Sequence, residues 1–473
     1  MAAIPAVLPP GATLAQRLAR LGGPCLAVVA AFALAFKPTL GLWSAGAPWV
    51  LHIYQDVSLD ASDLALALLA ACGWRDRPLP APARVLALAG AALLLCLAAS
   101  IAVAEAPPLA FAALAHCALG LLAALAVARR PALIPWLLLG GVAALAAQLP
   151  FAALQLLTQS TFPAGRVFDG WGSELPAAAS GAAVVILPDG TRWQRALGTF
   201  PHPNILGGAV AVALVLALPP LLRGGRPRWP LLALWALGWP LLLVTFSRAA
   251  LLAALLGCAL ALLGQPAFRR RSLGRVLGSP LASLALTALC FGPALRDRLT
   301  PGETLLGSPA VRERDLIADI AWALIRQHPL LGVGAGNFTL AELRPPFNAI
   351  SIEPAHAVPL LLAAEAGVLA GLAWLTLLVA PLAVEWHGTR RLAPVRLALP
   401  ATLLTLALLD HYLWTFGPGR ALFWLALGIW VAGGRLEGSE VRMSEGLMIT
   451  EHMQVPELSN LQTFEPEQRA ERP

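Results

Sequence analysis

Long apolar runs alternate with short polar interruptions along this chain, and the alternation predicts its architecture before any motif does. A helix needs about 17 to 25 apolar residues to cross a bilayer. Runs of that length cover 23–42, 58–74, 84–104, 109–128, 132–157, 200–222, 229–246, 248–265, 276–294, 356–385, 394–413 and 417–433. Two interruptions are long, 158–199 and 295–355. The first contains VVILPDGTRW (184–193), which predicts a β-hairpin because Asp-Gly tolerates the positive φ of a tight turn. The second contains a stretch with helical periodicity, 311–327. Beyond residue 434 large apolar side chains become scarce, which predicts a disordered tail over 435–473 after a membrane unit over 1–434.

Composition fixes the class. With 58% hydrophobic and 12% charged residues and a mean hydropathy of +0.73, the chain is too apolar for a water-soluble globule. The expected fold is all-α and polytopic, with about twelve transmembrane helices. The net charge of +7 does not point to nucleic acid, because the basic residues sit in short clusters between apolar runs. Arg17 and Arg20, then Arg75, Arg77 and Arg84, then Arg129 and Arg130, then Arg223, Arg226 and Arg228, then Arg269 to Arg271 with Arg275, then Arg390, Arg391 and Arg396, fall on alternate loops. Arg435 follows on the same side. By the positive-inside rule both termini are cytoplasmic and both long loops face outward. The first apolar run, preceded by Arg17 and Arg20, reads as an uncleaved span. Six cysteines lie in or beside apolar runs without metal-type spacing and report packing.

Candidate chemistry concentrates in 311–371. Arg248, in VTFSRAALLAALLG (244–257), sits at the outward turn of a tight helical hairpin. A guanidinium costs about 2.5 to 3.5 kcal/mol at a bilayer centre and less near an interface, so it is either an interfacial anchor or partnered in a cavity. Loop 295–355 carries Arg296, Arg298, Arg312, Arg314, Arg326 and Arg344, although outward loops are ordinarily poor in arginine. An anionic ligand explains the excess; so does pairing with Asp297, Glu303, Glu313, Asp315 and Asp319. GVGAGNF (332–338) is a glycine-rich turn, either structural or anion-binding, and is not a P-loop because no Gly-Lys-Ser/Thr follows. His356 stands at the outer rim, where a neutral imidazole serves as a general base or merely packs. At about 100° per residue, Glu365 lies half a turn from it on one helix, so it takes a partner from another helix or is protonated.

The ordered set Thr-Phe-Pro-His-Pro-Asn (199–204), Phe-Ser-Arg-Ala-Ala (246–250), Arg314, Pro-Leu-Leu-Gly-Val-Gly-Ala-Gly-Asn-Phe (329–338) and His356 with Glu365 and Gly367 resembles the O-antigen ligase and polymerase superfamily of membrane glycosyltransferases. The resemblance implies a GT-C-like fold in the cytoplasmic (inner) membrane. It implies transfer of a glycan from a polyprenyl-pyrophosphate carrier to a lipid A core, a growing polysaccharide or a protein at the outer face, without cofactor or metal. His356 then matches the acceptor-activating base. Arg248 and Arg314 match the pyrophosphate clamp, with Arg312 a further phosphate contact and Glu365 a substrate-side group. His202, Asn204, Gly332, Gly334, Gly336, Asn337 and Gly367 shape the site. Many members follow the histidine with Asn, whereas this chain has Ala357. Two other classes have sequence support: a transporter, through Lys37, Arg248 and Glu365 in or beside apolar runs, and a non-catalytic envelope-assembly partner, through the absent Asn. A transporter ordinarily has a midplane site and internal repeats, which the sequence does not display.

Overall fold

The computed structural model describes residues 31, 39–46, 54–73, 78–161, 183–186, 190–222, 229–263, 270–299, 309–347, 349, 352–389 and 394–432. The 435–473 tail and most of the first apolar run lie outside the described residues. Helices dominate, in chain order α1 (Ala61–Gly73), α2 (Ala81–Ser100), α3 (Pro107–Arg129), α4 (Ile134–Thr158), α5 (Pro203–Leu222), α6 (Trp229–Val244), α7 (Arg248–Leu263) and α8 (Arg270–Leu299). They continue with α9 (Pro309–Gln327), α10 (Phe338–Glu342), α11 (Val358–Ala366), α12 (Val368–Thr389), α13 (Pro394–Leu409), α14 (Tyr412–Thr415) and α15 (Gly417–Ala432).

Five helical segments are long and apolar enough to cross a membrane: Ala81–Val103, Pro107–Arg129, Pro131–Thr158, Pro203–Leu222 and Val368–His387. Their outward faces carry exposed leucines, Leu88 at 71% and Leu95 at 72% among them. Bare leucines on such helices are the surface a lipid tail covers. The inward faces pack through small residues, as helix contacts in a bilayer require. At Gly257 on α7, a Cβ would stand 2.1 Å from Thr402 Oγ1 of α13, so only glycine permits that approach.

Four apolar runs are built otherwise than their hydropathy suggests. Thr39–Ser44 (β1) pairs antiparallel with Asp56–Asp60 (β2), so the end of run 23–42 and the start of run 58–74 are strands. Short apolar stretches with Thr, Leu and Trp do not distinguish strand from helix by hydropathy. The run 356–385 is broken at Gly367, whose φ of +90° ends α11 and starts α12 in a new direction. The run 394–413 ends its helix at Leu409, and Asp410 and His411 form a non-helical break before α14. The expected hairpin is present: Val184–Ile186 (β3) pairs antiparallel with Arg192–Gln194 (β4), and Gly190 takes φ +80°. Helix α9 covers the stretch with helical periodicity.

Candidate functional site

The site is assembled from segments that interrupt the helices. The first is 195–204, the link from β4 into α5. Two buried glutamines on α4, one above the other at a seven-residue spacing, hold it by its backbone. Gln155 Oε1 accepts from Leu197 N at 3.1 Å and Gly198 N at 2.9 Å, and its Nε2 donates to Gly198 O at 2.7 Å. Gln148 Oε1 accepts from Thr199 N at 2.7 Å. Backbone that would otherwise lack partners among apolar helices is thereby satisfied.

This scaffold sets up a chain of hydrogen bonds. Buried Arg195 donates from Nε to Thr245 O at 2.8 Å and from Nη2 to Asn204 Oδ1 at 2.6 Å. Asn204 Nδ2 donates to Asp410 Oδ2 at 2.6 Å, and Asp410 Oδ1 accepts from His411 N at 2.8 Å. His202 Nδ1 accepts from Asn204 N at 3.2 Å, which puts the ring proton on Nε2. His202 and Asn204, read from the sequence as site-shaping, are thus tied to the α13–α14 break.

His356 precedes α11 and meets that break. Its ring lies edge-on to the His411 ring, centroids 5.1 Å apart and planes at 79°. Its Nε2 is 3.7 Å from Glu353 Oε2, and its Nδ1 is buried without a hydrogen-bond partner. Burial holds the His356 imidazole well below the ordinary histidine range, helped by His411 and Arg314 and opposed by Asp410. His411 is lowered by burial and by Arg314 as well. Both rings are therefore neutral at pH 7. His411 Nδ1 pairs with Thr415 Oγ1 at 2.8 Å, leaving Nε2 for another partner. Nearby Glu342 is fully buried, and burial, then Glu353, pushes its carboxyl up to about 9, so it is neutral too. Glu353, His356 and His411 each offer a ligand atom within 4.8 Å of the others. A small movement would let these three groups hold a transition-metal ion, a set that the sequence reading did not foresee.

The arginines divide by environment. Arg248 opens α7 immediately after the tight turn Thr245–Ser247, in which Phe246 takes a positive φ of 51°. It lies close enough to Arg314, on α9, for their charges to repel. Arg314 also acts electrostatically on His202, Glu353, His356 and His411. Among the described residues neither Arg248 nor Arg314 makes a side-chain hydrogen bond or salt bridge. Arg312 is exposed on α9. Arg344 is paired with Glu105 from another loop, a local explanation for that residue.

The glycine-rich turn is structural. Gly332, Gly334 and Gly336 all take positive φ, and the turn docks on the end of α11: Val333 N donates to Ala364 O at 3.0 Å and Gly334 N to Glu365 O at 2.8 Å. Asn337 Oδ1 accepts from Ala106 N at 2.7 Å, and its Nδ2 donates to Ala335 O at 2.9 Å. At Gly367 a Cβ would meet Leu330 O at 2.0 Å. Glu365 is buried and accepts from the Trp414 indole at 3.0 Å, while His356 precedes α11, so the two do not lie on one helix as expected.

The sequence reading missed Arg195, Glu353, Asp410 and His411. A signal for the last two was present: an acid and a histidine inside the apolar run 394–413 are expensive in lipid. Residues 231–375 match the family model described as O-antigen ligase. That segment contains Arg248, Arg312, Arg314, His356, Glu365 and Gly367, while His202, Asn204, Asp410 and His411 lie outside it. No curated protein matches the chain.

Proposed function

We propose, for a chain that belongs to the O-antigen ligase and polymerase superfamily, transfer of a glycan from a polyprenyl-pyrophosphate carrier to an acceptor hydroxyl at the outer face of the cytoplasmic membrane. The observation that carries the reading is the pairing of two guanidiniums, Arg248 and Arg314, that make no salt bridge among the described residues, with neutral His356 beside Arg314. Two like charges held together call for an anion, and a planar guanidinium matches phosphate oxygens bidentately.

In this mechanism the carrier tail lies between helices and Arg248 and Arg314 grip the pyrophosphate. His356 takes the proton of the acceptor hydroxyl, whose oxygen attacks the anomeric carbon. The bond from that carbon to the pyrophosphate oxygen breaks, the electron pair leaves with the pyrophosphate, and configuration inverts. Growing charge on the leaving group is stabilised by the arginines. The anionic donor also offsets Arg314, so the imidazole becomes a stronger base once donor is bound. Asp410, through Asn204 and the His411 backbone, positions the histidine pair. Residues 1–434 constitute the transferase unit, GT-C-like with twelve spans and outward loops 158–199 and 295–355; 435–473 is a cytoplasmic tail.

The test uses purified protein, a defined polyprenyl-pyrophosphate oligosaccharide and three competing acceptors: lipid A core, a carrier-linked repeat unit and a periplasmic protein. Glycan on the first identifies a ligase, on the second a polymerase, and on the third a protein glycosyltransferase. Absence of transfer to all three, with donor intact, sinks the reading.

A further inference from the structure

A second polar cavity, with a volume of about 100 Å³, lies beside the histidine pair. That volume is several times the roughly 10 to 15 Å³ that one water needs. Tyr54, Trp414 and Phe416 contribute aromatic surface to its wall; Asp56, Asp60, Glu365 and Arg420 contribute ionisable groups. It is contiguous with the site already described. The Tyr54 ring stands 5.8 Å from the His411 ring, and Thr415, which bonds His411 Nδ1, also lines the cavity. Arg248 and Arg314 are not in its wall.

The cavity is built but not internally satisfied. Asp60 is fixed, with Oδ1 accepting from Thr39 Oγ1 at 3.0 Å and Oδ2 standing 3.9 Å from Arg420 Nη2. Arg420 Nη1 donates to Thr415 O at 3.0 Å. Yet Asp56 Oδ1, Arg420 Nε and Thr339 Oγ1, all on lining residues, are buried with no hydrogen-bond partner. Buried polar atoms are overwhelmingly partnered in native proteins, and each orphan costs about 1–3 kcal/mol. Small side-chain rotations would turn these groups onto a ligand rich in hydroxyls.

We infer that this cavity is the acceptor subsite and takes a pyranose ring without negative charge. Carboxylates and a guanidinium supply acceptors and donors for adjacent ring hydroxyls, and aromatic faces cover the apolar C–H face of the ring. Three carboxyl side chains, Asp56, Asp60 and Glu365, against one guanidinium disfavour an anionic sugar. Placement next to His356 and away from the paired arginines assigns the ring to the acceptor instead of the donor. The acceptor assignment rests on the transferase reading above; sugar binding measured without donor does not.

Saturation-transfer NMR on the protein in nanodiscs, with no donor present, compares methyl glucoside with methyl glucuronide. Wild-type protein is expected to saturate the ring protons of the glucoside at least fivefold more than those of the glucuronide. Asp56→Leu, which fills the cavity, should abolish the glucoside signal, and the near-isosteric Thr339→Val should weaken it at least twofold. In the transfer assay both variants should raise the acceptor KM, Asp56→Leu at least tenfold, with the donor KM within twofold of wild type. An absent wild-type signal, equal signals from the two sugars, an unchanged signal in both variants or a matching rise in donor KM would each overturn the assignment. If the glucoside binds as expected but no acceptor is glycosylated, the transferase reading fails and the cavity remains a sugar site.

Discussion

Two parts of the 311–371 stretch look alike in sequence and are opposites physically. Around the turn 328–338 the polar groups find partners within the protein: Val333 and Gly334 donate to α11, and Asn337 clamps Ala106. Around His356 the accounts stay open. Arg248 and Arg314 make no salt bridge or side-chain hydrogen bond among the described residues, and His356 Nδ1 makes no hydrogen bond. A buried polar group that is satisfied internally stabilises the fold; one left open is available to a substrate. The contrast separates architecture from chemistry where composition does not.

The largest test of that contrast is His356→Ala. A positioned general base is worth about 10² to 10⁴ in rate. The variant should lose transfer by that factor while donor affinity and thermal unfolding stay close to wild type, as read by initial rates, donor binding and a melting curve. The same residue predicts a pH profile. Because its folded value is depressed, His356 remains unprotonated below pH 6.5, so the acid limb of kcat/KM should fall below the ordinary imidazole range. An acid limb at or above pH 6.5 would remove His356 as the base.

Arg314→Ala comes next, with an expected loss of about 10² to 10³ in kcat/KM from the missing charge on the leaving group. Arg314→Lys should recover only part of it, since an ammonium keeps the charge and loses the bidentate fork. Full rescue by lysine would mean that the guanidinium geometry is irrelevant.

On the structural side, Gly367→Ala should cost roughly 2 to 4 kcal/mol of stability. Its φ of +90° excludes other residues, and a Cβ would lie 2.0 Å from Leu330 O. The expected result is a lower melting temperature and lower yield, with kcat per folded molecule within about threefold of wild type. A kcat loss at unchanged melting temperature would merge the two regions that the geometry keeps apart.

How much of this was legible in the sequence follows from the range of each interaction. Helix α9 and the Arg248 turn could be read because period and a local charge define them. The turn character of 332–338 followed from its glycines, whereas the half-turn between His356 and Glu365 did not hold because His356 lies before α11. The bond from Asn204 to Asp410 joins residues 206 positions apart, and nothing local in either segment announces it. The end of the first apolar run misled because hydropathy alone does not separate strand β1 from the end of a helix. The break at Gly367 was hidden inside a run whose composition never changes sign.

Arg312 makes the finest test. It lies two residues from Arg314 on α9, about 200° round the helix, so the two side chains cannot address the same point. It is also exposed, whereas Arg314 is half-buried and acts on three histidines. Exposed charges are screened and contribute little. Arg312→Ala should therefore change donor KM by less than about threefold at physiological salt, with a larger effect at low salt if it steers the anionic donor from a distance. A loss comparable to that of Arg314→Ala, independent of salt, would place Arg312 in direct contact with phosphate and would mean that α9 turns when donor binds.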